Sequence, residues 1–379
     1  MRKLVIITTV PLTINAFLKD QVLFLSEYFE VTLVSSGELD DVDDFKDVGV
    51  EYINIRMVRA IDPMSDLKSI YNLARLFAKV KPDIVHSYTP KAGLVSMIAA
   101  YITRVPNRFH TFTGLIFPTL KGLRKEIFKL VDRIICFCAT KPIPEGEGVK
   151  DDLLSERITS KYIEVVGNGN IAGVDTSYFS RNQFLNDVEN GVATIAYNKV
   201  SPSEFVFSYV GRYTNDKGLR ELIDAFSEMS SNCILLLAGE PDLREPLSSE
   251  YMNKIKANKN IIEYGWINDV RGVLFSSDIF ILPSYREGFP NTPLQASALE
   301  VPSIVTDVNG SNEIISEGLN GYIVAPQSKN SLLKAMLYVF ENKEELPSMG
   351  GAARKRVLTR FERKNHHSNL LSLYNGVIK

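Results

Sequence analysis

The chain has 379 residues, 45% hydrophobic and 23% charged, with a net charge of −2. That length suits two α/β domains better than one, and the composition excludes a disordered or collagen-like chain and a globally basic nucleic-acid binder. The charge is uneven: twelve Lys and Arg face three acids (Asp83, Glu126 and Asp132) between Lys68 and Arg133, just after an acidic run from Glu38 to Asp47.

The first apolar run, residues 3–9, ends before Pro11 and is too short for a signal peptide with its cleavage site. No run reaches the roughly 18 apolar residues of a membrane span. A cytoplasmic protein is expected, at most resting on a membrane surface. Residues 3–9, 31–35, 52–55, 83–87, 108–111 and 133–137 read as strands, and 13–28, 66–80, 92–103 and 119–132 as helices between them. Such alternation predicts a parallel sheet covered on both faces. Cys136 and Cys138 lie two apart in the last of these strands, share its face and do not pair. With four histidines and no Cys/His cluster, no zinc site is expected. Residues 119–134, from Thr119 to Ile134, carry Leu120, Leu123, Ile127, Leu130 and Ile134 on one stripe and Lys121, Arg124, Lys125 and Lys129 elsewhere. This is either a basic amphipathic surface for an anionic membrane or a helix packed on its sheet with a solvated cationic face.

A polar stretch, about 175–204, reads as hinge and linker. The pattern then restarts with strands at 205–210, 233–238, 261–264, 278–282 and 303–306, and with helices from Lys217 and from about Thr292. A late amphipathic helix at 363–377 contains His366-His367, read as a solvated pair.

The first strand runs into Thr8-Thr9-Val10-Pro11 without the glycines that let backbone approach a pyrophosphate, which counts against a dehydrogenase. The second series is more informative. Gly211-Arg212 at a strand end, with Lys217-Gly218 five residues on, is either a clamp for two phosphates or a loop with two solvated cations. A strand then leads into Pro283-Ser284-Tyr285-Arg286-Glu287-Gly288-Phe289-Pro290-Asn291 and a helix whose amino end favours an anion. Glu287 beside such a site either meets sugar hydroxyls or favours the helix dipole.

The order Gly211-Arg212, Lys217-Gly218, Pro283-Ser284-x-x-Glu287-Gly288-Phe289, Val301-Pro302 and Gly310-x-x-Glu313 resembles the retaining GT-B glycosyltransferases of family four, among them enzymes of capsule, O-antigen and lipopolysaccharide assembly. The likeness covers nearly the whole second domain. Segments His86-Ser87-Tyr88-Thr89-Pro90-Lys91-Ala92-Gly93, Phe109-His110-Thr111-Phe112-Thr113-Gly114 and Gly167-Asn168-Gly169-Asn170 are similar to parts of bacterial polysaccharide members. The resemblance implies the GT-B architecture: two doubly wound Rossmann-like domains facing across a cleft. Residues 1–175 would form the acceptor side, with a helix of about 362–379 crossing back onto it, and 176–361 the donor side. It implies transfer of a hexosyl or N-acetylhexosaminyl group from a UDP-sugar or other nucleotide-sugar to a growing, lipid-linked envelope or capsular glycan, with no metal or cofactor.

Arg212 and Lys217 would hold the diphosphate, and Glu287 and His110 would lie at the transferring sugar. Gly211, Gly288, Phe289, Pro290, Asn291 and Glu313 would border the donor, Ile267 the base, and Lys91 and Asn168 the acceptor side. The family's second Glu, on the ribose, is replaced here by Gln295, and Glu300 stands where a glycine is usual. From Pro142 to Glu147 the chain departs from the regular helix of relatives. A nucleotide-sugar epimerase of the same architecture and a non-catalytic glycan-assembly subunit are the competing readings.

Overall fold

Short runs of buried residues build two sheets. The first contains β1 (Arg2–Ile7), β2 (Phe29–Ser35), β3 (Glu51–Asn54), β4 (Ile84–Tyr88), β5 (Asn107–Phe112) and β6 (Lys141–Pro144), in the order β3-β2-β1-β4-β5-β6. The second contains β7 (Phe205–Val210), β8 (Cys233–Ala238), β9 (Ile261–Gly265), β10 (Ile279–Leu282), β11 (Ser303–Thr306) and β12 (Gly321–Val324), in the order β12-β11-β10-β7-β8-β9. Neighbouring strands pair in parallel throughout. Leu4-Val5-Ile6-Ile7 and Cys233-Ile234-Leu235-Leu236-Leu237-Ala238 are buried at every position, because helices cover both faces of a parallel sheet. In each sheet the strand order reverses once, between β1 and β4 and between β7 and β10. Ligands of doubly wound sheets bind above that switch point, at the carboxyl ends of the strands.

This computed structural model describes residues 1–39, 42–60, 62–199, 201, 203–242 and 246–377. The chain divides into two units, Met1–Ala172 with Lys364–Lys379, and Gly173–Arg363.

Four local expectations are corrected. Residues 133–137 are not a strand but the end of a helix, Gly122–Cys138. The run Ile134-Ile135-Cys136-Phe137-Cys138 has no polar residue to reveal its period, yet Phe137 is exposed while Ile135, Cys136 and Cys138 are buried. The sixth strand is β6, which holds Pro142 and Pro144 because it is an edge strand paired with β5 alone. That gives the segment opening at Pro142 a structural account. The expected linker at 175–204 contains a helix, Arg181–Glu189, whose N-cap Ser180 accepts from the Gln183 N–H at 3.1 Å. Its Phe184 is fully buried and its Asp187 accepts from Arg271 Nη1 at 2.6 Å, contacts that so polar a segment does not advertise. The helix Arg363–Val377 adds Leu370 and Tyr374 to the core of the first unit. Tyr374 Oη lies 2.6 Å from His86 Nδ1. The pair His366-His367 is not simply solvated, since His367 is buried and stacked on Phe24.

Candidate functional site

In the second unit, β7 delivers Gly211 and Arg212 to its carboxyl end, and a 3-10 turn, Asn215–Lys217, follows. Gly218 then adopts φ +69°, and a Cβ there would stand 1.9 Å from the Pro283 carbonyl oxygen. Only glycine lets the loop after β7 lie against the loop after β10. That close approach brings the two motifs together over the switch point. Lys217 Nζ donates to Glu287 Oε1 at 2.6 Å, with both side chains largely buried. Arg212 Nη1 donates to Asp242 Oδ2 at 2.5 Å, and Arg286 Nη2 lies 3.0 Å from Asp216 Oδ2. Burial pushes the Asp216 carboxyl up, but the Thr214 hydroxyl at 2.5 Å and the cations Arg286, Lys217 and Arg212 outweigh it and hold the group below the usual carboxylate range. The buried Tyr209 donates to the Arg212 carbonyl at 2.8 Å, and burial, then Glu287, keep its phenol protonated.

The loop after β10 leads through Glu287, Gly288 and Phe289 to Pro290, the N-cap of helix Asn291–Ala298. Proline has no N–H, so Pro290 itself donates nothing at this helix terminus. The Phe289 ring is buried against Phe361. Asn291 and Gln295 are four apart on this helix and share a face; both are partly exposed. Glu313 folds back so that its carboxylate accepts from the Gly310 N–H at 3.2 Å. Ile267 follows β9 and packs on the cluster of Val206, Ile234, Leu236 and Ala238.

In the first unit the expected residues lie on three separate elements. His110 is buried on β5, its Nδ1 2.9 Å from Ser87 Oγ. A Cβ at Gly93 would fall 2.3 Å from its Cε1, so the ring fills the space that the missing side chain leaves. Burial lowers its pKa to about 3. The ring is thus neutral and enclosed by helix and sheet. Lys91 Nζ is held by both Asp66 oxygens at 2.7 Å, in a mostly buried pair between helices Pro63–Val80 and Pro90–Ile102. Asn168 is exposed on its turn. Among the described residues, no group of three or more His, Cys, Asp or Glu is placed to hold a metal ion.

Sequence reading missed the carboxylates that face the cations: Asp242, Asp216 and Asp66. The only local signal was Pro241-Asp242 after a strand end, which marks a turn.

Residues 194–356 match the family model described as glycosyl transferases group 1, and residues 9–137 match glycosyl transferase 4-like. The chain is 32% identical over 329 residues, 86% of its length and 85% of the relative's, to the capsular polysaccharide biosynthesis glycosyltransferase CapM of Staphylococcus aureus. It is 27% identical, over 92% of its length and 89% of the relative's, to the UDP-Gal:alpha-D-GlcNAc-diphosphoundecaprenol alpha-1,3-galactosyltransferase of Escherichia coli. The crystal structure of Anabaena Alr3699/HepE in complex with UDP superposes with a TM-score of 0.78 at 14% identity, covering 99% of this chain and 100% of the other. That last likeness concerns the fold alone.

Proposed function

Because the chain belongs to the GT-B glycosyltransferases of family four, we propose that it moves a hexosyl or N-acetylhexosaminyl group from a UDP-sugar to a lipid-linked precursor of a capsular or other envelope polysaccharide, retaining the anomeric configuration. The observation that carries this reading is the meeting of Arg212, Lys217, Glu287 and the amino end of helix Asn291–Ala298 above the switch point of the second sheet. The names of the relatives support the donor and the lipid-linked acceptor.

In this reading Gly173–Arg363 holds the donor and the first unit takes the acceptor, with Lys91 and Asn168 on the acceptor side. Arg212, Lys217 and backbone N–H groups of Gly288, Phe289 and Asn291 take the diphosphate. Glu287 turns to sugar hydroxyls, Gln295 to the ribose and the backbone at Ile267 to the base; Gly211, Pro290 and Glu313 shape the loops around them. The bond from sugar C1 to the phosphate oxygen breaks as the acceptor oxygen bonds to C1 on the same face, and the acceptor's proton passes to the departing phosphate. Fixed cations and the helix terminus stabilise the charge that develops on the leaving group. They do what a divalent ion would otherwise do, so the reaction is proposed to need no metal or cofactor.

Among the described residues, no helix is long and apolar enough to cross a membrane. We propose a cytoplasmic enzyme that contacts the inner face of the membrane through residues 119–134. The structure changes which groups can do this: Lys125 and Lys129 hold Glu156 at 2.8 and 2.9 Å, whereas Leu123, Ile127 and Leu130 are 78%, 38% and 55% exposed.

A thermal-shift panel of UDP-, GDP- and dTDP-sugars, followed by transfer to a lipid-linked acceptor, tests the assignment. A UDP-sugar at a hundred times its Kd should stabilise the protein by about 2.7 kcal/mol and be consumed only when acceptor is present. Donor turnover without acceptor would instead identify an epimerase, and binding without any turnover a non-catalytic subunit.

A further inference from the structure

Arg212 is anchored by a residue that no motif reading singles out. Asp242 lies after β8, on a loop whose backbone is stitched to the Arg212 loop. The Gly211 N–H donates to the Ala238 carbonyl at 2.9 Å and the Tyr213 N–H to the Glu240 carbonyl at 2.8 Å. Tyr213 also bridges Pro241. Across this seam the Asp242 side chain is 10% exposed and the Arg212 side chain 52%. The carboxylate is therefore the fixed partner and the guanidinium the presented one. The bond uses one terminal nitrogen, Nη1, while a guanidinium carries N–H donors on three nitrogens in one rigid plane.

We propose that Asp242 is a positioning residue for the donor diphosphate: by anchoring Nη1 it fixes the plane in which the other N–H donors of Arg212 meet phosphate oxygens. The proposal rests on reading the Arg212 loop as the phosphate clamp. An unanchored, half-exposed arginine loses more rotamer freedom on binding than one already held. A carboxylate next to an anion-binding cation also repels the incoming diphosphate. The two effects have opposite signs, so removing Asp242 separates a positioner from a mere counter-ion.

The experiment is calorimetry of UDP, GDP and dTDP, each beside its nucleoside, on wild type, Asp242→Ala, Asp242→Asn, Arg212→Ala and the double variant Arg212→Ala/Asp242→Ala. Asp242→Ala should weaken binding of the preferred diphosphate about tenfold and leave its nucleoside unchanged. Asp242→Asn keeps an oxygen acceptor in place and should recover most of the loss, which also separates the effect from misfolding. In the Arg212→Ala background the Asp242 change should cost nothing further. Equal or tighter diphosphate binding by Asp242→Ala, the same loss in both backgrounds, or a matching loss for the nucleoside would overturn the proposal. If Arg212→Ala binds like wild type, or wild type binds none of the three, the clamp itself falls and Asp242 loses this role with it.

Discussion

Each cation of the candidate donor site is charge-balanced by a residue distant in the chain: Arg212 by Asp242, Lys217 by Glu287 and Arg286 by Asp216. Such balance lowers the repulsion between cations held close together. Arg212→Ala or Lys217→Ala should lower turnover roughly 10²-fold, the scale of losing one electrostatic stabiliser; near-normal steady-state rates in both would remove the clamp. Gln295 shares its helix face with Asn291, which suits a ribose contact. Gln295→Ala should loosen nucleotide binding by about 1 kcal/mol and Gln295→Glu should preserve it; equal affinities of both variants and wild type by calorimetry would take Gln295 off the ribose. Glu300 has φ +62°, which explains a glycine as the usual residue there. Glu300→Gly should raise stability by about 1 kcal/mol, and an unchanged or lower melting temperature would contradict this.

Among the elements, helix Gly122–Cys138 packs Phe128, Val131, Ile134 and Ile135 on the core of the first unit and has further apolar residues to spare. It turns Lys129 and Asp132 inward and leaves Leu123, Ile127 and Leu130 outside. An apolar stripe beside exposed Lys121 and Arg124 fits the boundary between headgroups and acyl chains. Apolar contact is little affected by salt, whereas the attraction of Lys121 and Arg124 is screened within about 8 Å at physiological salt. Co-sedimentation with anionic vesicles should therefore fall partly at high salt. It should fall severalfold in the variant Leu123→Ser/Ile127→Ser/Leu130→Ser. Equal sedimentation of variant and wild type would show that this stripe does not meet lipid.

At the scale of the molecule, all four histidines lie in the unit of Met1–Ala172 and Lys364–Lys379. His86 and His110 are wholly buried, and burial lowers both, His110 to about 3. In the unfolded chain each takes a proton near pH 6.5. The unfolded state therefore binds more protons below that pH, and stability falls as the solution is acidified. Asp132 opposes this, because burial raises its carboxyl to about 7; its contribution is full in acid and is lost as pH rises through that value. His366, lowered to about 4 by burial and then by His367, acts in the same direction as His86 and His110, so three groups against one leave a net loss of stability as the pH falls below about 6.5. Urea melts at pH 7.5, 6.5 and 5.5 should show the decline, and His110→Gln should flatten it. A wild-type profile flat over that range would mean that the buried histidines are charged or hydrated in the fold.

By itself the sequence determined the two α/β halves, the strands at 205–210, 233–238 and 303–306, and the motifs that identify the family. Those signals are local: a buried parallel strand is an unbroken apolar run, and a loop between strand and helix shows its glycine and charge in order. Tertiary structure decided the rest. Whether residues 133–137 form helix or strand depends on which side chains find a neighbour, because an uninterrupted apolar run carries no period. That His110 is enclosed follows from Gly93, 17 residues earlier on another element. That Arg212 meets Asp242, Lys217 meets Glu287 and Lys91 meets Asp66 follows from how the chain crosses between strands. Coulomb and hydrogen-bond energies fall off with distance in space, and distance along the chain does not report it.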